Sequence, residues 1–208
     1  MSGLIERPEK LVLRSTLTSP YGRKVRMAVQ IHKLADSVSV EPADTLNERD
    51  SLREQNPLGK IPCLLLPDGQ VLFDSRVIVE YLDAISSRAP LVPVGTPDRF
   101  RVLTRAALSD GLTDAALLLV YEGRFRSVEQ ASQRWIDHQR DKVFRALTAL
   151  SAAPPPSRHT DLSSIALACA LGYLDWRQPV SWRTDYPVLV DWLERFTEHE
   201  AAVAGTAA

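Results

Sequence analysis

Leu11-Val12-Leu13-Arg14-Ser15-Thr16-Leu17-Thr18-Ser19-Pro20-Tyr21-Gly22-Arg23-Lys24-Val25-Arg26 is the stretch that decides the fold. Its first three residues are apolar and β-prone, and a hydroxyl-rich turn follows (Ser15, Thr16, Thr18, Ser19). Pro20 then stands where a helix takes its first residue, a position that needs no backbone N–H. Beyond it Val25, Met27, Ala28, Val29 and Ile31 recur with helical spacing. Ser19 is therefore expected at the N-cap of a helix that follows a strand. Backbone N–H groups and the helix dipole favour an anion there. A hydroxyl at that point can donate a hydrogen bond to a thiolate or a carboxylate.

Working outward, Ser37–Glu41 alternates polar and apolar residues, as a short strand does. Thr45–Gln55 is strongly charged and reads as a short exposed helix. Asn56-Pro57-Leu58-Gly59-Lys60 is a turn that delivers the chain to Ile61-Pro62-Cys63-Leu64-Leu65-Leu66. Pro67-Asp68-Gly69-Gln70 is a tight turn before Val71-Leu72-Phe73, so these two apolar runs form a hairpin. Asp74 and Ser75 open a helix whose buried face is expected to carry Val77, Ile78, Tyr81 and Leu82. The order β-α-β-(α)-β-β-α predicts a small mixed sheet: a parallel pair joined by a right-handed crossover, then antiparallel strands.

Arg88–Asp98 holds three prolines and a glycine and reads as a linker. Beyond it only helical recurrence is found: Phe100–Tyr121 (Leu103, Ala107, Leu108, Leu112, Ala115) and Val128–Leu150 (Ala131, Trp135, His138, Val143, Leu147, Leu150). Pro154-Pro155-Pro156 breaks the pattern. Asp161 caps a further helix with Ile165, Ala166, Cys169, Ala170 and Tyr173 buried, and a last helix runs from Tyr186-Pro187 to before Gly205. The expected organisation is an α/β domain over 1–87, a linker over 88–98 and an all-α domain over 99–208. Met1–Lys10 reads as a loose lead-in.

The 208 residues are 45% hydrophobic and 25% charged with a net charge of -1, which offers neither nucleic acid nor an anionic membrane an electrostatic handle. Two cysteines far apart in sequence, Cys63 and Cys169, do not make a disulfide framework or a zinc site, and the four histidines lack ligand spacing, so no metal is expected. No apolar run is long enough to span a membrane, and the N-terminus lacks the apolar core of a signal peptide. A reducing cytoplasm is the expected location.

Ser19-Pro20-Tyr21-Gly22 occupies the slots where thioredoxin-like proteins carry Cys-Pro-Tyr-Cys, with both sulfurs gone. Joined to a helical half by a proline-bearing linker, it resembles a cytosolic glutathione S-transferase of the serine type, thioredoxin-like in its N-terminal domain. Bacterial members share Ser-Pro-Tyr/Phe-x-x-Lys, here ending at Lys24. Asn56–Pro62 is similar to the family segment before its cis-proline, and Phe73-Asp74-Ser75-Arg76-Val77-Ile78 to its acidic–Ser segment. Asp161-Leu162-Ser163-Ser164 falls on the family's capped helix with cap and acid exchanged, an order that keeps the cap but does not predict the reciprocal bond.

The resemblance implies glutathione as co-substrate and a small hydrophobic electrophile as partner. Glutathione reacts as its thiolate, and a free thiol has a pKa of about 8.5. Ser19, with Thr18, Thr16 and Tyr21 as rival donors, and the start of the Pro20 helix would lower that value. Ser19 is not expected to be a nucleophile, since no general base is visible beside it. The backbone at Ile61-Pro62 would pair with the cysteinyl unit. Ser75 would take the γ-glutamyl carboxylate and Asp74 its ammonium, while Lys33 or Lys60 would meet the glycyl carboxylate. Tyr21, Asp110, Tyr121 and Arg124 are candidates for the electrophile site.

Cys63 reads as a packed thiol, Cys169 as core, and Trp135, Trp176, Trp182 and Trp192 as core or interface. Arg23, Lys24 and Arg26 read as a solvated basic face. Arg76 and its helix border the dimer contact in the family, so a homodimer is implied. Two other functions fit the same scaffold: a non-catalytic binding or stress protein that docks on macromolecules, and a glutathione-dependent isomerase or dehalogenase.

Overall fold

Strand β1 (Leu11–Arg14) is buried along its whole length because it is central in a four-stranded sheet of order β2-β1-β3-β4. In this computed structural model, residues 10–206 are described; the lead-in up to residue 9 lies outside them. β2 (Val38–Glu41) pairs parallel to β1, with Leu11 opposite Val38 and Leu13 opposite Val40. β3 (Cys63–Leu65) runs antiparallel, setting Arg14 opposite Cys63 and Val12 opposite Leu65, and β4 (Val71–Leu72) completes the hairpin. The expected β-α-β-α-β-β-α order is present, with α1 (Pro20–Ile31), α2 (Leu52–Gln55) and α3 (Ser75–Ile85).

Strand side chains alternate between faces. Val12, Cys63 and Leu65 on one face pack with Ala43 and Leu52, and Ile61, Val71 and Phe73 flank them. Only the last four residues of Thr45–Gln55 are helical, and Leu52 there is buried rather than exposed. The same segment is tied to β1 by Arg14, whose guanidinium donates to Asp50 Oδ1 (2.8 Å), Ser51 Oγ (2.9 Å), Gln55 Oε1 (2.8 Å) and Pro42 O (3.2 Å). α3 packs on β3 and on α1.

The buried side of α3 is Ile78, Val79 and Leu82. Val77, expected there, is 48% exposed, and Tyr81 is half-buried. With apolar residues at three consecutive positions, spacing alone does not choose which of them turns inward.

This unit extends to Leu91 and takes in Gly205 and Thr206. Asp83 fastens the segment after α3 by accepting from Leu91 N (2.9 Å) while bonded to His32 Nε2 (2.7 Å). Arg26 reaches the carbonyl of Thr206 (3.4 Å).

The second unit, Val92–Ala204, is helical: α4 (Asp98–Phe125), α5 (Gln133–Ala152), α6 (Leu162–Arg177), α7 (Pro187–His199) and α8, which ends at Gly205 (Ala201–Gly205). Three expectations need correction. The α4 stripe is Val102, Ala106, Ser109, Leu112, Thr113, Ala115 and Ala116, while Ala107 and Leu108 are exposed and Leu103 half-buried. Val128–Leu150 is not one helix. Val128–Gln130 forms a 3₁₀ turn, Ser132 caps α5 by accepting from Trp135 N, and Trp135 and His138 are exposed while Gln139 is buried. The last helix is two, broken at Glu200.

The reciprocal bond not expected at Asp161 is present: Asp161 Oδ1 accepts from Ser164 N and Ser164 Oγ accepts from Asp161 N, both at 3.0 Å. A hydroxyl accepts as readily as a carboxylate, so the exchanged order still closes the box. α6 is the most buried helix, with Ile165, Ala166, Cys169, Ala170 and Tyr173 all inside as expected. Trp182 and Trp192 are buried, whereas Trp135 and Trp176 are 39% and 41% exposed. Among the described residues no helix is long and apolar enough to cross a membrane.

Candidate functional site

Two helix N-termini in the first unit carry the expected residues. At α1, Ser19 has extended backbone and its Oγ accepts from Gly22 N at 3.0 Å, so it is the N-cap. With that lone pair engaged, the hydroxyl keeps its own proton to donate. Glycine at position 22 is required by packing, since a Cβ there would lie 2.0 Å from Ser15 Oγ. The rival donors Thr16 and Thr18 are hydrogen-bonded to each other at 3.1 Å, with Thr18 exposed. Tyr21 is half-buried.

At α3, Asp74 is the N-cap, its Oδ1 accepting from Arg76 N at 2.9 Å. Ser75 is buried as the first helical residue. Its Oγ accepts from Lys24 Nζ at 3.3 Å. The assignment to a solvated face is therefore overturned for Lys24 and Arg26, while Arg23 is half-buried. Lys24 is 1% exposed and Arg26 8%. Arg26 donates to Thr16 O (2.7 Å) and Leu17 O (3.1 Å), so it holds the turn that presents Ser19. Arg23 Nε reaches Thr206 Oγ1 at 3.5 Å. The Lys24 ammonium also lies 5.8 Å from the ring centroid of Tyr21, but its hydrogen bond to Ser75 spans 51 residues and is not readable from the local sequence.

The loop before β3 is built on Asn56, which is buried. Its Nδ2 donates to Lys60 O (2.8 Å), its Oδ1 accepts from Leu58 N (3.1 Å), and its carbonyl accepts from Gly59 N (2.8 Å). Gly59 has φ +59, a conformation that suits glycine. The Ile61-Pro62 peptide is cis, Ile61 is half-buried and Lys60 is exposed. Lys33 is exposed just beyond the opposite end of α1, and twelve helical residues put about 18 Å between those ends. The structure thus groups Ser19 and Tyr21 on α1, and joins α1 to Ser75 through Lys24, but it does not bring Lys33 to Ser19.

Cys63 is a packed thiol, as expected: burial pushes it up to about 11, with Arg14 opposing. A protonated thiol is a poor nucleophile at neutral pH.

In the helical unit Asp110 is buried on α4. Tyr121 meets Phe125 edge-on at 5.2 Å, and the Arg124 guanidinium lies 5.3 Å from the Tyr121 ring centroid. Tyr173 on α6 is close to the same pair. Burial raises its phenol above the ordinary range and Tyr121 adds to this, while Arg177 and Arg124 oppose it. Arg177 stacks over Trp176 at 3.7 Å. Tyr121 and Arg124 therefore sit in one aromatic and cationic cluster with Tyr173, Trp176 and Arg177, three residues the sequence reading did not nominate. Among the described residues no group of His, Cys, Asp and Glu converges as a metal site.

Residues 18–85 match the glutathione S-transferase N-terminal domain family. The GST-like protein YibF of Escherichia coli K12 is 32% identical over 196 residues, 91% of this chain and 95% of its own length. The crystal structure of a glutathione transferase family member from Pseudomonas fluorescens Pf-5 with bound glutathione superposes with a TM-score of 0.89. It is 40% identical and covers 95% of this chain and 98% of its own. A glutathione S-transferase from Methylobacillus flagellatus KT, also with glutathione bound, gives 0.88 at 36% identity over 95% and 99% of the two chains. With its thioredoxin-like sheet unit and its helical unit, the chain belongs to the glutathione S-transferase family.

Proposed function

We propose that the protein is a glutathione transferase that binds glutathione on its first unit and conjugates it to small hydrophobic electrophiles held by its helical unit. One observation carries the reading: two helix N-termini, capped by Ser19 and Asp74, belong to helices that pack together and are linked through Lys24 and Ser75. Each N-terminus suits an anion, and glutathione offers two at the matching chemistry. Its thiolate lies over the start of α1, accepting a hydrogen bond from the Ser19 hydroxyl. Its γ-glutamyl carboxylate meets Ser75 at the start of α3, with the ammonium on Asp74. The backbone of Ile61 pairs with the cysteinyl unit, and exposed Lys60 meets the glycyl carboxylate.

Chemistry needs little more than this. About two units of thiol pKa depression, from about 8.5 to about 6.5, makes most of the bound sulfur thiolate at neutral pH, at about 1.4 kcal/mol per unit. The remaining rate comes from holding that sulfur near the electrophile. Tyr21, Asp110, Tyr121 and Arg124 are the side chains proposed to meet it. A homodimer through α3 is supported by Val77, which stays exposed beside Arg76.

Calorimetric titration with glutathione, followed by turnover of chlorodinitrobenzene, tests the proposal. Binding and conjugation are expected. Binding without turnover of this or any haloalkane or isomerisable substrate would make the protein a non-catalytic glutathione binder, and absence of binding would refute the reading altogether.

A further inference from the structure

Ser75 and Lys24 are among the most buried polar residues of the chain, at 2% and 1% exposure. Their side chains meet at 3.3 Å. An ammonium has donors only. The Ser75 oxygen must therefore accept from Lys24, and its single proton is turned away from the lysine. Ser75 is also the first residue of α3, where the backbone N–H groups have no partners within the helix. Asp74 takes the N–H of Arg76.

From this we infer that Lys24 is a positioning residue for glutathione. It makes Ser75 an obligate donor toward the γ-glutamyl α-carboxylate and ties that carboxylate's site to α1, the helix that Ser19 caps. Lys24 lies five residues beyond Ser19, about 7.5 Å along the helix axis, so one helix carries both the thiolate donor and the lysine that orients Ser75. The inference rests on the proposed binding of the γ-glutamyl end at Ser75.

The test compares two peptides by calorimetry: glutathione, and 4-aminobutanoyl-Cys-Gly, which lacks only the α-carboxylate. Lys24→Gln replaces the donor-only ammonium by an amide that accepts as well as donates, and so frees the Ser75 proton to turn inward. It should weaken glutathione about tenfold, the order of one hydrogen bond to a charged group, while changing the Kd of the truncated peptide less than about twofold. Lys24→Arg, also donor-only, should recover most of the loss. Lys24→Met, which offers Ser75 no comparable acceptor, should weaken glutathione less than Lys24→Gln does, and equal effects of the two would overturn the direction of the Ser75 proton as the cause. Equal weakening of both peptides, or no weakening, would overturn the role of Lys24 alone. Failure of the unmodified protein to bind glutathione would instead remove the reading beneath it.

Discussion

Ser19 is asked to do two things at once, and substitutions can separate them. Its oxygen accepts the Gly22 N–H at 3.0 Å, and its proton is proposed to stabilise the glutathione thiolate. Ser19→Ala removes both. Loss of an N-cap costs about 1 kcal/mol, which in a chain of this size lowers Tm by about 2–4 °C. Loss of a hydrogen bond to a charged sulfur costs about 1.5 kcal/mol, equivalent to about one unit of thiol pKa. Ser19→Asp keeps the cap, because a carboxylate accepts as well as a hydroxyl, but it sets a negative charge beside the sulfur. The aspartate variant should therefore hold its Tm within about 1 °C of the parent while the thiol pKa rises by at least as much as in the alanine variant. The assay is the ultraviolet absorbance of bound thiolate followed against pH, with Tm measured on the same samples. A Ser19→Ala protein that loses Tm yet keeps the thiolate titration of the parent would refute the reasoning. Ser19 would then be a cap alone.

Gly22→Ala should lower Tm despite the better helix propensity of alanine. The added Cβ would lie 2.0 Å from Ser15 Oγ, and overpacking of about 1–3 kcal/mol exceeds a gain of about 1 kcal/mol. In a Ser15→Ala background the loss should largely vanish, and a rise in Tm without that second change would contradict the packing. Cys63→Ser should leave turnover unchanged, and Cys63 itself should resist alkylation at neutral pH, since burial pushes its thiol up to about 11. Rapid labelling at Cys63 would count against its burial. The Asp50 carboxyl is held below the ordinary range, first by the N–H of Asp44, then by that of Leu52 and by Arg14, against the opposing effect of burial. A depressed carboxylate stabilises the fold above its unfolded pKa of about 3.9 and loses that contribution as pH falls through the lower folded value. Asp50→Asn should thus flatten the acid limb of a Tm-against-pH curve below about pH 4, and an unchanged limb would show the pair to be inconsequential.

The elements of the first unit were legible because their signals are local. Pro20 after a hydroxyl run, Asn56–Lys60 before an apolar run and Asp74-Ser75 before Ile78 each declare a boundary within a few residues. Burial of charge was not legible. Lys24 reads as solvated until Ser75 is folded against it, and Arg26 until the carbonyls of Thr16 and Leu17 turn toward its guanidinium. In α4 both Val102/Ala106 and Leu103/Ala107 are apolar at helical spacing, so the choice of inward face belongs to α5 and α6, which pack on it. Likewise Tyr121 and Arg124 could be nominated from sequence, but Tyr173, Trp176 and Arg177 join them only through the packing of α4 on α6.

The most direct test of the account is the crystal structure of this protein soaked with glutathione. The sulfur is expected within hydrogen-bonding distance of Ser19 Oγ at the start of α1, with the γ-glutamyl carboxylate on Ser75. A sulfur bonded instead to Thr18 or Tyr21, or a peptide bound away from the two helix starts, would contradict it.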